Sequence, residues 1–217
     1  MSDRLAVSSQ APVTPSAARG RRVRVFIDFW NVVLDLKHCD SALQIDWAKF
    51  PRWLAERGAA EAGISDPSFE GCQVFASHNP ATDAKLHHWL THWLDRQTGV
   101  QVTVKERRPR NAPKCPSCHI EVARCPACKA SMAGTVEKGV DTALATAMIR
   151  LAWEDTFDIA VLATSDADLI PAVEFLDLRG RKVVQAGFPP AGAELATACW
   201  GSFDVAKGIS EFRRHLI

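Results

Sequence analysis

No apolar run in this chain approaches the length of a membrane span, so the sequence predicts no membrane partner. Neither sign of charge dominates: 26 Lys and Arg stand against 25 Asp and Glu, a formal net charge of +1. That balance excludes a global polycation, and any contact with nucleic acid must come from a local basic patch. The first twenty residues lack the apolar stretch of a signal peptide. They are rich in Ser, Ala and Pro and read as a disordered tail. Without an export signal, the seven cysteines belong in a reducing compartment, expected to be the cytoplasm. Free thiols or metal ligands are favoured there over disulfides. No internal repeat is evident.

What the chain does have is 217 residues at 47% hydrophobic composition, enough for one domain with a real core and a small appendage. Short β-branched runs at 23–27, 72–76, 100–104, 159–163 and 181–186 read as strands. Between them lie helical patterns at 47–60, 82–97, 141–153 and 171–178. Two more close the chain at 194–200 and 209–216. In the 82–97 helix, Leu86, Trp89, Leu90, Trp93 and Leu94 form one apolar stripe, and the tryptophans are expected in the core. His88 and His92 share the polar face and are expected to face solvent. Strands alternating with helices predict an α/β fold with a mainly parallel sheet covered on both faces. The expected organisation is a tail over 1–20, one domain over 21–217, and an insertion within it over 107–133.

Three acidic clusters carry the chemistry. Asp28 ends the first strand in Asp28-Phe29-Trp30-Asn31, and Ser165-Asp166-Ala167-Asp168 follows the fourth. Asp141 opens a helix in Lys138-Gly139-Val140-Asp141. Parallel sheets place ligand sites at the carboxyl ends of their strands, and several carboxylates gathered there suit Mg²⁺ or Mn²⁺. Each acid also has a plain alternative: a cap at Asp28, a dipole partner at Asp141, a capping box at Ser165 to Asp168. Pro171 argues against the last, because it places the helix start near itself and leaves Asp166 and Asp168 in the preceding loop.

The stretches Phe26 to Asn31, Lys138 to Asp141 and Leu162 to Asp168 resemble the NYN domain, a branch of the PIN-like ribonuclease superfamily. Gly180-Arg181-Lys182-Val183-Val184 also looks like the family. The resemblance covers about residues 21–190 in the same order. It implies a three-layer α/β/α fold and a metal-dependent nuclease acting on RNA, most simply an endoribonuclease. By position, Asp28, Asp141, Asp166 and Asp168 match the family's metal-binding acids, Asn31 its polar partner on the first helix, and Ser165 its accompanying hydroxyl. The family's usual glycine after the first strand is replaced by Phe29-Trp30, which puts bulky side chains beside the pocket, to stack on a base or narrow the entrance. In-line hydrolysis of a phosphodiester is the implied reaction, leaving 5′-phosphate and 3′-hydroxyl ends. Lys138 is a candidate contact to the scissile phosphate.

The insertion carries Cys115-Pro116-Ser117-Cys118 and Cys125-Pro126-Ala127-Cys128. Two CxxC units in one loop favour a structural, tetrahedral Zn²⁺ over a redox pair, and four thiolates leave no open position for water. Zinc would order a segment with almost no apolar material of its own. Basic residues surround it, including Arg107, Arg108 and Arg110, candidates for holding single-stranded or structured RNA by its backbone beside the acids. The rival readings are a PIN-like module that binds nucleic acid or protein with little catalysis, and a phosphatase. The phosphatase needs a second acid two residues after Asp28, where this chain has Trp30. Residue types leave a homodimer or a protein partner equally open.

Overall fold

The computed structural model describes residues 21–214; the expected tail over 1–20 and the last three residues lie outside them. Six parallel strands form the central sheet: β1 (Arg22–Asp28), β2 (Ser68–His78), β3 (Val100–Glu106), β6 (Ile159–Ala163), β7 (Lys182–Gly187) and β8 (Gly201–Asp204). Their order is β3-β2-β1-β6-β7-β8. A separate antiparallel pair, β4 (Arg108–Arg110) and β5 (Gly134–Val136), stands at the root of the insertion. The helices are α1 (Phe29–Cys39), α2 (Phe50–Glu61), α3 (Ala84–His92), α4 (Val140–Trp153), α5 (Ile170–Leu178), α6 (Ala193–Ala198) and α7 (Ile209–Phe212).

Strand alternation divides the core between two layers. Val23, Val25 and Ile27 of β1, with Ile159, Val161 and Ala163 of β6, face α1, α2 and α3. Phe26, Ala160 and Leu162 point the other way, onto Leu144 and Met148 of α4 and Val173 and Leu176 of α5. The α/β/α sandwich is the one expected from the alternation of elements.

Topology decides where a ligand can sit. The chain steps outward from β1 to β2 to β3, then returns across β1 to β6 and continues to β7 and β8. The strand order therefore reverses between β1 and β6, and such a switch point opens a crevice at the carboxyl ends of the strands. Ile27 pairs with Ala163, so Asp28 and Thr164 emerge side by side at that crevice.

Four local expectations need correction. The helix over 82–97 stops at His92, and Leu94–Arg96 is a tight 3₁₀ turn. That turn swings Trp93 outward: it is 41% exposed, stacked on Trp89, while Leu90 and Leu94 are buried. Gly201–Asp204, which has too few apolar residues to read as a strand, is the edge strand β8. The last helix ends at Phe212 because Arg213 turns extended and bridges to Ile45.

Candidate active site

Asp28 closes β1 and caps α1. Its Oδ1 accepts the Asn31 backbone N–H at 3.3 Å and its Oδ2 the Thr164 hydroxyl at 3.4 Å. It is only 8% exposed. Burial, reinforced by the charges of Asp141 and Glu137 and opposed by those two hydrogen bonds, pushes its carboxyl up to about 6. Asp141 sits in the first turn of α4. Burial and the negative field of Asp166, Glu137 and Asp168 raise its carboxyl too. Asp28, Asp141, Asp166 and Asp168 thus converge on one edge of the sheet.

The loop after β6 is held rigidly. Asn31 Oδ1 accepts the Ser165 backbone N–H at 2.9 Å, tying α1 to that loop. Thr164 Oγ1 accepts the Asp166 N–H at 3.2 Å, and Asp166 Oδ1 accepts the Asp168 N–H at 2.9 Å. Gln185 on β7 donates to the carbonyls of Thr164 and Gly192. Asp166 therefore caps a short 3₁₀ turn, Ala167–Leu169, and the helix proper begins at Ile170, next to Pro171. Asp168 is exposed on that turn. The capping box read at Ser165 to Asp168 gives way to a cap by Asp166 itself, and a functional role for Asp166 stays compatible with this geometry because its second oxygen is free of the cap.

Sequence reasoning missed two groups. Glu137, at the end of the insertion's return strand, lies close enough to raise both Asp28 and Asp141. Its Oε2 accepts a hydrogen bond from the buried Ser77 hydroxyl. Asp35, one turn beyond Asn31 on the same helix face, accepts from Ser165 Oγ at 3.5 Å and is raised by burial. The available signal for Asp35 was its i, i+4 spacing from Asn31; for Glu137 it was the acid one residue before Lys138.

Phe29 and Trp30, expected beside the pocket to stack on a base or narrow the entrance, are both engaged by the protein itself. Phe29 is core, stacked on Trp47 at 5.6 Å. Trp30 donates its indole N–H to the Ser77 carbonyl at 2.7 Å, and Arg107 lies 5.3 Å over its ring. Arg107 also donates to Ser77 Oγ at 2.9 Å and pairs with Glu137 at 3.7 Å. Its guanidinium is held by the protein, whereas Arg108, Arg110 and Lys138 are exposed.

The cysteine segment reveals the repeat that the sequence reading overlooked. Lys114-Cys-Pro-Ser-Cys-His-Ile-Glu-Val-Ala123 is followed at once by Arg124-Cys-Pro-Ala-Cys-Lys-Ala-Ser-Met-Ala133. Both copies fold alike. His119 N–H returns to the Cys115 carbonyl and Lys129 N–H to the Cys125 carbonyl, with His119 and Lys129 left-handed at φ 58° and 63°. In each, the first thiol is held below the usual cysteine range. Cys115 receives the backbone N–H of Cys118 and Ser117 and then the Cys118 thiol, and Cys125 receives the equivalent groups of Cys128 and Ala127. Among the described residues, no three Cys, His, Asp or Glu side chains stand at mutual metal-ligand spacing. The donor chemistry nevertheless matches two ions: hard carboxylates for Mg²⁺ or Mn²⁺ at the sheet edge, and activated thiols in paired knuckles for Zn²⁺.

Comparison with known proteins agrees with the topology. A solved structure of a protein of unknown function from Vibrio parahaemolyticus superposes with a TM-score of 0.54 at 16% identity, over 89% of this chain and 98% of that one. No curated protein matches this chain. The family model described as "NYN domain" matches residues 22–204, which spans every strand of the sheet and all four aspartates, and the chain belongs to the NYN domain family.

Proposed function

We propose that this protein is a metal-dependent ribonuclease whose site is Asp28, Asp141, Asp166 and Asp168. The observation that carries the reading is their gathering at the β1–β6 switch point, where burial, reinforced by neighbouring carboxylates, raises Asp28 and Asp141. NYN and PIN-like nucleases in general use divalent metals. Mg²⁺ or Mn²⁺ bound here would neutralise phosphate charge and make water a better nucleophile near neutral pH.

The chain's own residues do the rest. Asn31 and Thr164 fix the loop after β6 that carries Asp166 and Asp168, so that both acids stand close enough to raise Asp141 of α4. Asp28 holds a proton below about pH 6, so cation loading is coupled to proton release from its carboxyl. Exposed Lys138, Arg108 and Arg110 supply cations to neighbouring phosphates, while Ser165 orients the loop and Arg107 screens Glu137. Water attacks phosphorus in line, the P–O3′ bond breaks, and the strand leaves with 5′-phosphate and 3′-hydroxyl ends. Zn²⁺ on Cys115, Cys118, Cys125 and Cys128 would order the basic insertion beside the site. No helix among the described residues is long and apolar enough to cross a membrane, and the thiol-rich insertion suits a reducing cytoplasm.

The test is cleavage of a mixed pool of end-labelled RNA and single-stranded DNA with Mg²⁺ or Mn²⁺ against EDTA. Metal-dependent cutting of RNA, lost in Asp166→Asn, is the expected result. Binding without cutting in the wild type would replace the nuclease by a nucleic-acid-binding module.

A further inference from the structure

One face of the sheet is only partly covered. α4 packs on β1 and β2, and β3 lies at the sheet edge beyond it. β3 is amphipathic in consequence. Val100, Val102 and Val104 pack into the opposite layer, so Gln101, Thr103 and Lys105 project on the open side. Thr142, Thr146 and Arg150 of α4 run parallel to them. The two rows wall a cleft of about 570 Å³ that has no Asp or Glu in its lining.

This cleft is continuous with two others. Towards the acids it shares Lys105 and Gly139 with a cleft of about 520 Å³ lined by Arg107, Arg108 and Lys138, three residues from Asp141. At the far end it shares Gln73 and Gln101 with a cleft of about 610 Å³ that holds Arg24 and Arg52 beside Glu70 and Asp95. Arg24 Nε is buried there and makes no hydrogen bond among the described residues. The result is one trough, cationic at the end beside the acids, lined along its middle by hydroxyls and amides with Lys105 and Arg150, and of balanced charge at the far end.

Resting on the nuclease reading, we infer that this trough is a track for a single RNA strand, gripping its backbone on one side of the bond to be cut. Gly139 to Arg150 spans roughly 16 Å at 1.5 Å per residue, which accommodates about five stacked nucleotides at ~3.4 Å each. The wall is one helix high, about 10 Å, so a single strand enters and a duplex rests on the rim. Aromatic platforms are not on offer: Phe75 is buried, and Arg52 covers Phe69 at 4.8 Å. Contacts are therefore to phosphate and ribose, which makes recognition tolerant of sequence and sensitive to salt.

Fluorescence anisotropy tests this with the full chain in EDTA and a fluorescein-labelled twelve-nucleotide oligouridine. Thr142 and Thr146 are exposed, and glutamate is a good helix former, so the T142E/T146E double variant keeps its fold, checked by an unchanged melting temperature. It should bind about tenfold more weakly, whereas T142Q/T146Q stays within about twofold, since only a negative charge repels phosphate. Lys105→Gln should reduce the salt slope by about one. Wild-type affinity in T142E/T146E, absence of binding by the wild type, or equal competition by duplex RNA of the same length would each overturn the track. Cleavage is scored separately with Mn²⁺. Cutting by the wild type with unchanged binding in T142E/T146E sinks the track alone, while charge-sensitive binding without cutting sinks the nuclease alone.

Discussion

Asp28→Asn isolates the cost of gathering acids at one edge. An ordinary aspartate titrates near 3.8, and burial moves Asp28 to about 6. Between about pH 4 and 6 the folded protein therefore holds a proton that the unfolded chain has released. Stability falls as pH rises through that window and stays lower above it. At ~1.4 kcal/mol per pH unit, the loss at neutral pH is on the order of 3 kcal/mol. Asparagine removes the charge but keeps the cap to the Asn31 N–H, because Asn and Asp cap helices about equally well. In EDTA at pH 7.5, D28N should melt about 6 to 12 °C above the wild type, and the two should converge near pH 4. A shallower slope persists in D28N because Asp141 is raised as well. Mg²⁺ or Mn²⁺ at a hundred times its Kd should stabilise the wild type by about 2.7 kcal/mol and leave D28N nearly unmoved. Thermal melts across pH 4 to 8 read all of this. Equal pH dependence in the two proteins, or a D28N less stable at pH 7.5, would refute the electrostatic account.

Other expectations address the surroundings of the acids. Gly192 has φ 71°, and a Cβ there would meet the Ser165 backbone at 2.8 Å; Gly192→Ala should cost roughly 1–3 kcal/mol in a thermal melt and depress cleavage more than that loss explains, by displacing Asp166. Glu137→Gln removes a charge that raises Asp28 and Asp141, so the acid limb of the metal-dependent rate profile should move to lower pH. After treatment with a zinc chelator, mass spectrometry of iodoacetamide-treated protein should show Cys115 and Cys125 modified before Cys72 and Cys199. Backbone donors hold the first two thiols low, while burial pushes Cys199 up to about 12 and Cys72 higher still. Uniform labelling with and without the chelator would remove the case for bound zinc.

Much of this could be read from residue order because it is local. β6 (Ile159–Ala163) is a short, wholly apolar run, and Pro171 marks the start of α5 within one residue. What escaped was set by partners far along the chain. β8 is a strand only because β7 offers it a ladder. Arg107 reads as a free cation until Ser77 and Glu137, brought together by β2 and the insertion's return strand, claim it. The knuckle duplication was printed in the sequence, but its conserved feature is a backbone turn, which tolerates His in one copy and Lys in the other.

The placement of β1 has a consequence for how the molecule comes into being. Asp28 is made early, yet its hydroxyl partner Thr164 stands 136 residues away. At synthesis rates of ~5–20 residues per second, roughly 7 to 27 s separate the two. Throughout that interval the nascent chain has at most half of the central sheet and lacks Asp166 and Asp168. No fragment ending before β6 can assemble the four-acid cluster, so whatever chemistry the crevice performs is withheld from the nascent chain until β6 and the loop after it have been made.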